Sequence, residues 1–352
     1  MKYTGSIIKR ILWGIAAVVI VFLVWNYKAV IYGIQQGKGQ LNVIMNAEPI
    51  DKFLNDENFP EEKKEKLRLI QEIRQFTVDS IGLNKSGSYT EMYDQKGEPL
   101  LWTVTACKPF ALEAKEWTFP LVGSFSYKGF FDKELVKQEA EKLKQDWDIR
   151  IGQVSAWSTL GVLNDPVLSS MLDRSVGSLT QLIIHELTHG TLYVKNSVTY
   201  NENLADFVGD EGAKMFLLHK FGKESKEYQE YMYREGDSQA FSAYILASTQ
   251  RLDSLYKSFD EGTAVAVKQQ KKDAMIKQIC EGIQDVEFNN KAYYKYFDNF
   301  TPNNTFFMGY KRYREKQNQF KEEFETKFNS DFPAYFTYLK ENYKPLLPSF
   351  GI

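Results

Sequence analysis

The first strong pattern along the chain is an apolar run close to the N-terminus. Residues 11–25 contain no charged or polar side chain, and after a short break the apolar pattern resumes from Ala29 to Tyr32. The shorter run has the length of a signal-peptide core, whereas residues 11–32 can span a hydrocarbon layer of about 30 Å. We expect an uncleaved anchor over residues 1–32, because no small-residue cleavage site follows the run and its aromatic side chains resemble interfacial residues. These aromatics are Trp13, Trp25, Tyr27 and Tyr32.

The charges around this run indicate its orientation. Lys2, Lys9 and Arg10 precede it, so the positive-inside rule places residues 33–352 on the outer side of a membrane. Two lysines that follow the run nearly balance those charges, and the orientation therefore also depends on the signal-like order of the segments. A cleaved signal peptide and a buried core helix are the alternatives.

Residues 33–352 read as one body, without internal repeats, low-complexity segments or a Pro/Gly-rich linker. Apolar spacing predicts helices over residues 60–83 and 132–147, and from Thr180 onward the pattern is almost entirely helical. Alternating patterns predict strands over residues 88–92, 100–106, 118–127 and 149–154. This order predicts a helix-rich α+β fold, with strands in the N-terminal half and a mainly helical C-terminal half.

Composition narrows the class of protein. The chain has 352 residues with 43% hydrophobic and 15% aromatic content, enough for a substantial core. A net charge of -2, without a basic tract, argues against nucleic acid as a partner. Cys107 and Cys280 are too few for a disulfide framework; a single bridge and two separate thiols are both compatible with the sequence.

The strongest chemical signal is the pentapeptide His-Glu-Leu-Thr-His at residues 185–189, which contains two of the three histidines of the chain. On a helix, residues four apart share one face, so His185 and His189 can reach one metal ion. Glu186 then points beside them toward a metal-bound water. The surrounding residues predict such a helix, with Ser175 or Ser178 as N-cap and Gly190 as its end.

A catalytic zinc site usually has three protein ligands, and the third is expected downstream. His219 is poorly suited, because its sequence context indicates an ordinary residue near a helix end. Glu202 and Asp206 lie four apart on a second predicted helix, so Glu202 can bind the metal while Asp206 accepts the other N–H of a bound histidine. The alternative is a solvated pair of acidic side chains. Small residues could let this helix approach its partner closely, namely Ala205, Gly209, Gly212 and Ala213.

The motif and its surroundings resemble the bacterial predicted-aminopeptidase family, a group of membrane-associated, gluzincin-like proteins. The resemblance covers nearly the whole chain and includes residues 192–195 and 201–209 after the motif. Further similar blocks are residues 39–41, 119–132, 156–168 and 303–304. It implies a zincin-like zinc peptidase domain over residues 33–352 in a bacterial inner membrane, facing the periplasm. Many relatives carry a lipoprotein cysteine near the start, whereas the first cysteine here is Cys107, so the attachment is expected to differ.

These residues together predict hydrolysis of peptide bonds, with one Zn²⁺ per chain held by His185, His189 and Glu202 and with Glu186 as the general base. The developing oxyanion needs a further donor, and the sequence favours Tyr127. The other candidates are Tyr193, Tyr200 and Tyr313. The strand at 149–154 could align an extended peptide if it lies at a sheet edge.

Two other classes of protein fit the same motif. A non-catalytic, membrane-anchored binding or assembly protein could retain the zinc site, and a protein with a purely structural zinc is a further alternative. Structural zinc sites favour cysteine-rich ligand sets, and neither cysteine lies near the motif. A zinc peptidase, with an aminopeptidase as its expected type, is therefore the leading hypothesis.

Overall fold

The computed structural model describes residues 2–119, 123–154, 163–194, 197–314 and 317–342. The fold is a helix-rich α+β arrangement, about 65% helical, with small sheets, as the sequence pattern predicted. All the described strands lie before residue 169, and residues 176–342 are almost entirely helical where they are described.

Two helices form the N-terminal region, α1 (Lys2–Trp25) and α2 (Tyr27–Met45). Among the described residues no single helix is both long and apolar enough to cross a bilayer. The segments Ile11–Trp25 and Tyr27–Met45 satisfy that condition only as a pair, with an 86° bend between them. The helix break at Asn26 coincides with the polar interruption in the sequence, and the expected boundary between residues 32 and 33 lies inside α2.

In the part of the chain that the structure describes, eight short strands form three small sheets. The first sheet has the order β1-β2-β8, the second β6-β3-β7, and the third pairs β4 with β5. The strand β7 therefore lies at the edge of its sheet among the described strands, as one reading of the sequence predicted. The strands are β1 (Glu48–Pro49), β2 (Glu91–Tyr93), β3 (Trp102–Cys107), β4 (Trp117–Phe119), β5 (Gly123–Phe125), β6 (Lys128–Phe130), β7 (Asp148–Gln153) and β8 (Val167–Leu168).

Two strand predictions were wrong in detail. The single strand expected over residues 118–127 is an antiparallel pair, in which Trp117 of β4 lies opposite Phe125 of β5. Gly123, the first residue of β5, has a φ of 97°, a conformation that glycine adopts at little cost. The strand expected from residue 88 begins only at Glu91, because Tyr89 adopts a left-handed φ of 63°.

The helices of the body pack on the sheets and on one another. The predicted helix over residues 60–83 is present as α4 followed by a π-helical turn, Thr77–Ile81, that ends at Gly82. Asp132 caps α5 with its side chain, which accepts hydrogen bonds from the next turn. The helices are α3 (Ile50–Asn55), α4 (Glu61–Phe76), α5 (Lys133–Leu143), α6 (Val176–His189), α7 (Val198–Phe221), α8 (Lys226–Lys257), α9 (Val265–Glu281), α10 (Asn304–Arg314), α11 (Gln317–Phe328) and α12 (Phe332–Asn342).

The helix α6 lies at the centre of the largest hydrophobic core. Its residues Leu179, Ile183 and Ile184 are fully buried, and α4, α7 and α8 all pack against it. On the other side of α7, Phe207 contacts a cluster of aromatic rings from α11 and α12. The C-terminal helices therefore support α7 from behind, and α7 in turn supports α6.

A network of buried polar groups around Asn304 joins β7 to the helices α8, α9 and α10. The backbone N–H of Asn304 donates a hydrogen bond to the carboxylate of Asp148 on β7 at 3.0 Å. Lys272 of α9 forms an ion pair with the same carboxylate at 2.6 Å. Tyr256 of α8 donates to the Asn304 side chain at 2.7 Å, while Asn303 donates to the backbone of Ile149. The Asn-Asn pair therefore fixes the sheet against the helical half of the molecule.

The two cysteines are separate free thiols, which decides between the alternatives left open by the sequence. Cys107 ends β3 in the interior, and Cys280 lies on α9 with partial exposure. Burial raises the pKa of Cys107 to about 12, so this thiol stays protonated and unreactive near neutral pH.

The helix α2 packs directly on the body through Tyr32. The ring of Tyr32 stacks on Phe119 with centroids 5.0 Å apart, and its hydroxyl donates to the backbone oxygen of Gly129 at 2.9 Å. Gln36, one turn later, donates to the same oxygen at 3.1 Å. Tyr32 is therefore part of the contact between α2 and the sheet, although its sequence position resembled that of an interfacial aromatic residue.

This contact predicts different effects for two tyrosines of the same helix. Tyr32→Ala should lower the free energy of unfolding by about 1–3 kcal/mol, because it removes both the ring contact and a hydrogen bond. Tyr27→Ala is the matched control, since Tyr27 is 54% exposed and should change stability by no more than about 0.5 kcal/mol. Both substitutions are made in a shortened chain that begins at residue 27. Urea unfolding of each variant measures its change in the free energy of unfolding. Equal effects would show that α2 does not depend on Tyr32.

Candidate metal centre

The helix α6 has well-defined ends, which determine where the two histidines of the motif lie. Ser175 is the N-cap and accepts a hydrogen bond from the backbone N–H of Ser178 at 3.3 Å. The helix ends at His189, with Gly190 as C-cap, as the sequence predicted. His185 and His189 therefore lie on one face of the last two turns, and their rings are 4.9 Å apart.

The close approach of α7 to α6 depends on glycine. A Cβ atom on Gly209 would lie 3.0 Å from the backbone oxygen of Gln181 and 3.2 Å from Cβ of His185. At Gly212 it would lie 2.7 Å from Ile81 and 3.1 Å from Ile184. Any larger side chain at these positions would separate the helices and would carry the carboxylates of α7 away from the histidines.

The approach of α7 brings Glu202 to the histidine pair. The Nε2 atoms of His185 and His189 are 3.2 Å apart. One carboxylate oxygen of Glu202 lies 3.6 Å from Nε2 of His185, and the other lies 3.7 Å from Nε2 of His189. These three residues are a group whose ligand atoms could hold a metal ion, and it is the combination that the sequence predicted.

The distances fit a tetrahedral zinc ion. Nitrogen and oxygen ligands lie about 2.1 Å from zinc, so two ligands of a tetrahedral site are about 3.4 Å apart. The two Nε2 atoms are 3.2 Å apart, and each lies 3.6 or 3.7 Å from a different oxygen of Glu202, which is close to this value. Two imidazoles and one carboxylate leave a fourth position for water or substrate, as catalytic zinc sites require.

Asp206 orients one of the two histidines. Its carboxylate accepts a hydrogen bond from Nδ1 of His185 at 2.9 Å, one helical turn after Glu202. This bond directs Nε2 of His185 toward the common centre. Nδ1 of His189 is buried and has no hydrogen-bond partner among the described residues. The sequence predicted a carboxylate partner for one histidine, and the structure assigns it to His185.

The pKa values of the two histidines are shifted in opposite directions. Burial opposes a charge on His185, but the hydrogen bonds to Asp206 and Glu202 outweigh it and raise its pKa well above the ordinary value. Burial and the neighbouring His185 lower the pKa of His189 to about 4. In the metal-free protein His189 is therefore neutral, whereas His185 must release a proton before its Nε2 can bind a cation.

Glu186 lies next to the ligands in an enclosed position. Burial raises the pKa of Glu186 to about 7, and the carboxylates of Glu202, Asp165 and Asp206 add to this effect. Arg174 also interacts with Glu186 electrostatically. A carboxyl group whose pKa lies near the working pH is suited to accept a proton and to release it again.

Two residues near Glu186 were not predicted from the sequence. Tyr89 is fully buried, and the negative charges of Glu186 and Asp165 act on its phenol, whose pKa is raised well above the ordinary value mainly by burial. Its backbone N–H donates to the backbone oxygen of Asp165 at 2.6 Å, which joins β2 to the start of β8. A tyrosine in a left-handed conformation has no reliable sequence signal, since glycine or asparagine is the usual residue there.

The candidate tyrosines lie in different parts of the molecule. Tyr193 contacts the site, with its ring 6.2 Å from that of His189, whereas Tyr127 lies between β5 and β6, 38% exposed and next to Phe125. Tyr127 acts electrostatically on Tyr32 of α2. Tyr200 packs against Phe320 on α11. The side chain of Tyr313 lies outside the described residues.

The third histidine is an ordinary residue, as the sequence indicated. His219 lies in the last turn of α7, exposed to solvent, and its ring is 5.6 Å from that of Phe76 on α4. The metal-ligand group found among the described residues does not include it.

The sequence matches a known protein family. Residues 31–344 match the model of a family described as putative aminopeptidases. The chain belongs to this family. The match includes most of α2, both helices of the metal centre and the C-terminal helices that support them. No curated protein and no solved structure matches the chain. Membership of the family supports a peptidase-like function.

The hydrogen bond between Asp206 and His185 predicts a loss of metal affinity when the charge of Asp206 is removed. Asp206→Asn should weaken zinc affinity by about 10- to 100-fold while the fold remains intact, because the imidazole loses its orienting carboxylate. Competition with a chromophoric chelator measures the affinity.

Asp273→Asn on α9 is the matched control, since Asp273 is exposed and bonds only the nearby Gln269 in the described structure. Asp210, the next turn of α7, is unsuitable as a control because it accepts a hydrogen bond from Tyr231 at 3.2 Å. The same small effect for Asp206→Asn and Asp273→Asn would contradict the orienting role.

Proposed function

We propose that the protein is a zinc metallopeptidase with a zincin-like arrangement of α6 and α7. The observation that supports this proposal most strongly is the meeting of His185, His189 and Glu202 at distances suited to one zinc ion, with Glu186 beside them. The family match supports the peptidase class independently of the metal.

The reaction proposed for this site is hydrolysis of a peptide bond. Zinc in such a site lowers the pKa of a bound water to about 7 and polarises the scissile carbonyl. His185, His189 and Glu202 would hold the ion, and Asp206 would keep His185 in the orientation that exposes Nε2. Glu186 would accept the proton of the attacking water and deliver it to the leaving amine.

For the developing oxyanion we propose Tyr193 as the donor, in place of Tyr127, which the sequence favoured. Tyr193 lies against His189, and Glu202 acts electrostatically on its phenol. Burial raises the pKa of Tyr193, so the hydroxyl keeps its proton and can donate it in a hydrogen bond.

The segment that carries Tyr193 is held in place by Asn201. The Asn201 side chain accepts a hydrogen bond from the N–H of Val194 and donates one to its backbone oxygen, both at 2.8 Å. Asn201 is itself buried on the first turn of α7, directly before Glu202. The donor and the third metal ligand are thus positioned by the same turn of helix.

The membrane location is part of the proposal. The large apolar side chains described between Ile11 and Trp25 of α1 are exposed, which suits a lipid environment better than water. We propose a single-pass anchor in a bacterial inner membrane, with residues 33–352 on the periplasmic side. A peptide would be the substrate; the strand β7 remains a candidate for aligning it.

The general base is tested by Glu186→Gln. Glutamine preserves the shape of the side chain but cannot accept the proton, so hydrolysis should fall by about 10²-fold or more while the zinc content is unchanged. Hydrolysis of a mixed peptide library by the purified protein, with and without a chelator, gives the activity, and elemental analysis gives the zinc content. His189→Ala and Glu202→Ala are the controls that should lose zinc as well as activity.

The peptide-library assay also distinguishes a peptidase from a non-catalytic protein. Wild-type protein that binds zinc but cleaves no peptide would favour a non-catalytic binding or assembly protein with a retained metal site. If cleavage occurs, the ends of the products show whether a single N-terminal residue is removed, as an aminopeptidase requires, or whether the chain is cut internally.

Two phenylalanine substitutions compare the candidate oxyanion donors. Tyr193→Phe removes one hydroxyl beside the metal ligands and should lower kcat by about 10²-fold, with little change in KM or zinc content. Tyr127→Phe removes an identical group between β5 and β6 and should leave kcat unchanged. If Tyr127→Phe lowered kcat and Tyr193→Phe did not, Tyr127 would be the oxyanion donor, as the sequence favoured, and the proposal for Tyr193 would be wrong.

A further inference from the structure

The helix α2 presents two opposite faces, and only one of them packs on the body. The inner face contains Tyr32, Gln36, Gly39 and Val43, which follow the spacing of successive helical turns. Val43 is buried in the main core, and a Cβ atom on Gly39 would lie within the ring of Phe131. This face therefore needs no further partner.

The outer face is a stripe of exposed apolar side chains. At about 100° per residue, its members lie within an arc of about 80° that is centred opposite the inner face. Each of them is more than half exposed. The outer stripe consists of Tyr27 (54%), Ile31 (51%), Ile34 (66%), Leu41 (57%) and Met45 (79%).

The charges of α2 indicate what covers the outer stripe. The helix contains no acidic residue from Tyr27 to Met45, and its only charged side chains are Lys28 and Lys38. Lys38 lies within the arc of the stripe, between Ile34 and Leu41. An apolar helical face accompanied only by cationic side chains fits the surface of a bilayer that contains anionic lipids.

The outer stripe also continues from the apolar helix α1. Trp25 at the end of α1 is 85% exposed, and Tyr27 at the start of α2 follows after one residue. The 86° bend between the two segments allows the apolar residues of α1 to enter a bilayer while α2 lies along its surface. A second protein copy would not require this bend or the absence of acidic residues.

We propose that α2 is an interfacial helix whose outer stripe rests in the headgroup region of an anionic lipid bilayer, so that the body is held at a fixed orientation against the membrane. This inference rests on the membrane anchor of the proposed function and extends it beyond residue 32. The membrane contact would then include Ile34, Leu41 and Met45, and it would end where α2 reaches β1.

The proposal is tested by spin labels on the full chain reconstituted in vesicles of phosphatidylcholine and phosphatidylglycerol. Single cysteines replace Ile34 and Leu41 on the outer stripe in a Cys280→Ser background, while buried Cys107 is left in place. A cysteine at Val18 reports on α1, which is 70% exposed at that position. Cysteines at Val265 (70% exposed) and Leu218 (48% exposed) are matched controls, because both are exposed apolar positions of the body. Thermal unfolding confirms that each labelled protein is folded.

The accessibility of each label to oxygen, which concentrates in lipid, is compared with its accessibility to a water-soluble nickel chelate. The ratio should be several-fold higher at Ile34 and Leu41 than at Val265 and Leu218, and highest at Val18. Lipid-like values at Val18 with aqueous values at Ile34 and Leu41 would overturn the interfacial helix and leave the anchor intact. Aqueous values at all three positions would overturn the anchor as well. Spin–spin broadening at Ile34 and Leu41 that disappears on dilution with unlabelled protein would assign the stripe to a second copy and would also overturn the proposal.

Discussion

The close contact between α6 and α7 is the constraint on which the site depends. Two histidines on one helix are too few for a metal centre of this kind, and the third candidate ligand, Glu202, comes from a helix that begins nine residues after the first one ends. Gly209 and Gly212 leave room for α7 to lie against the backbone of Gln181 and the side chain of Ile184. The aromatic rings of α11 and α12 press α7 into this position from the opposite side, so the C-terminal helices contribute to the site without supplying a ligand.

The site combines several acidic groups in a small and mostly buried volume. The carboxylates of Glu202, Asp206 and Asp165 all act on the charge of Glu186, and this arrangement is unfavourable unless cations or protons balance it. Raised pKa values at His185 and Glu186 show that the metal-free cluster retains protons. A divalent ion would displace the proton of His185. The negative charge of these carboxylates, which is unfavourable without a cation, would then favour binding of the metal.

The N-terminal helices connect this chemistry to the rest of the molecule by a continuous set of contacts. The inner face of α2 holds β6 through Tyr32 and Gln36, and β6 pairs with β3. The strand β3 pairs in turn with β7, which the Asn303–Asn304 network joins to the helical half. A body linked in this way has a defined orientation relative to α2, and any surface that receives α2 also orients the body.

Much of the site could be predicted from local spacing. The positions of His185, Glu186 and His189 follow from one helical turn, and the pairing of Glu202 with Asp206 follows from another, because α-helical periodicity is set by the backbone alone. Gly190 was predicted as the end of this helix and Ser175 as one of two possible N-caps for the same reason, since capping is a local property. The helical second half and the strand-rich first half followed from the periodicity of apolar residues.

Tertiary structure decided which tyrosine approaches the metal ligands and which of the two histidines Asp206 orients. It also placed Tyr32 on the body, changed the strand predicted over residues 118–127 into a hairpin, and brought Tyr89 and Asp165 close to Glu186. All of these depend on contacts between segments that are far apart in the chain. Local spacing determines which side chains share a face of one helix, but only the packing of that helix on others determines what the face meets.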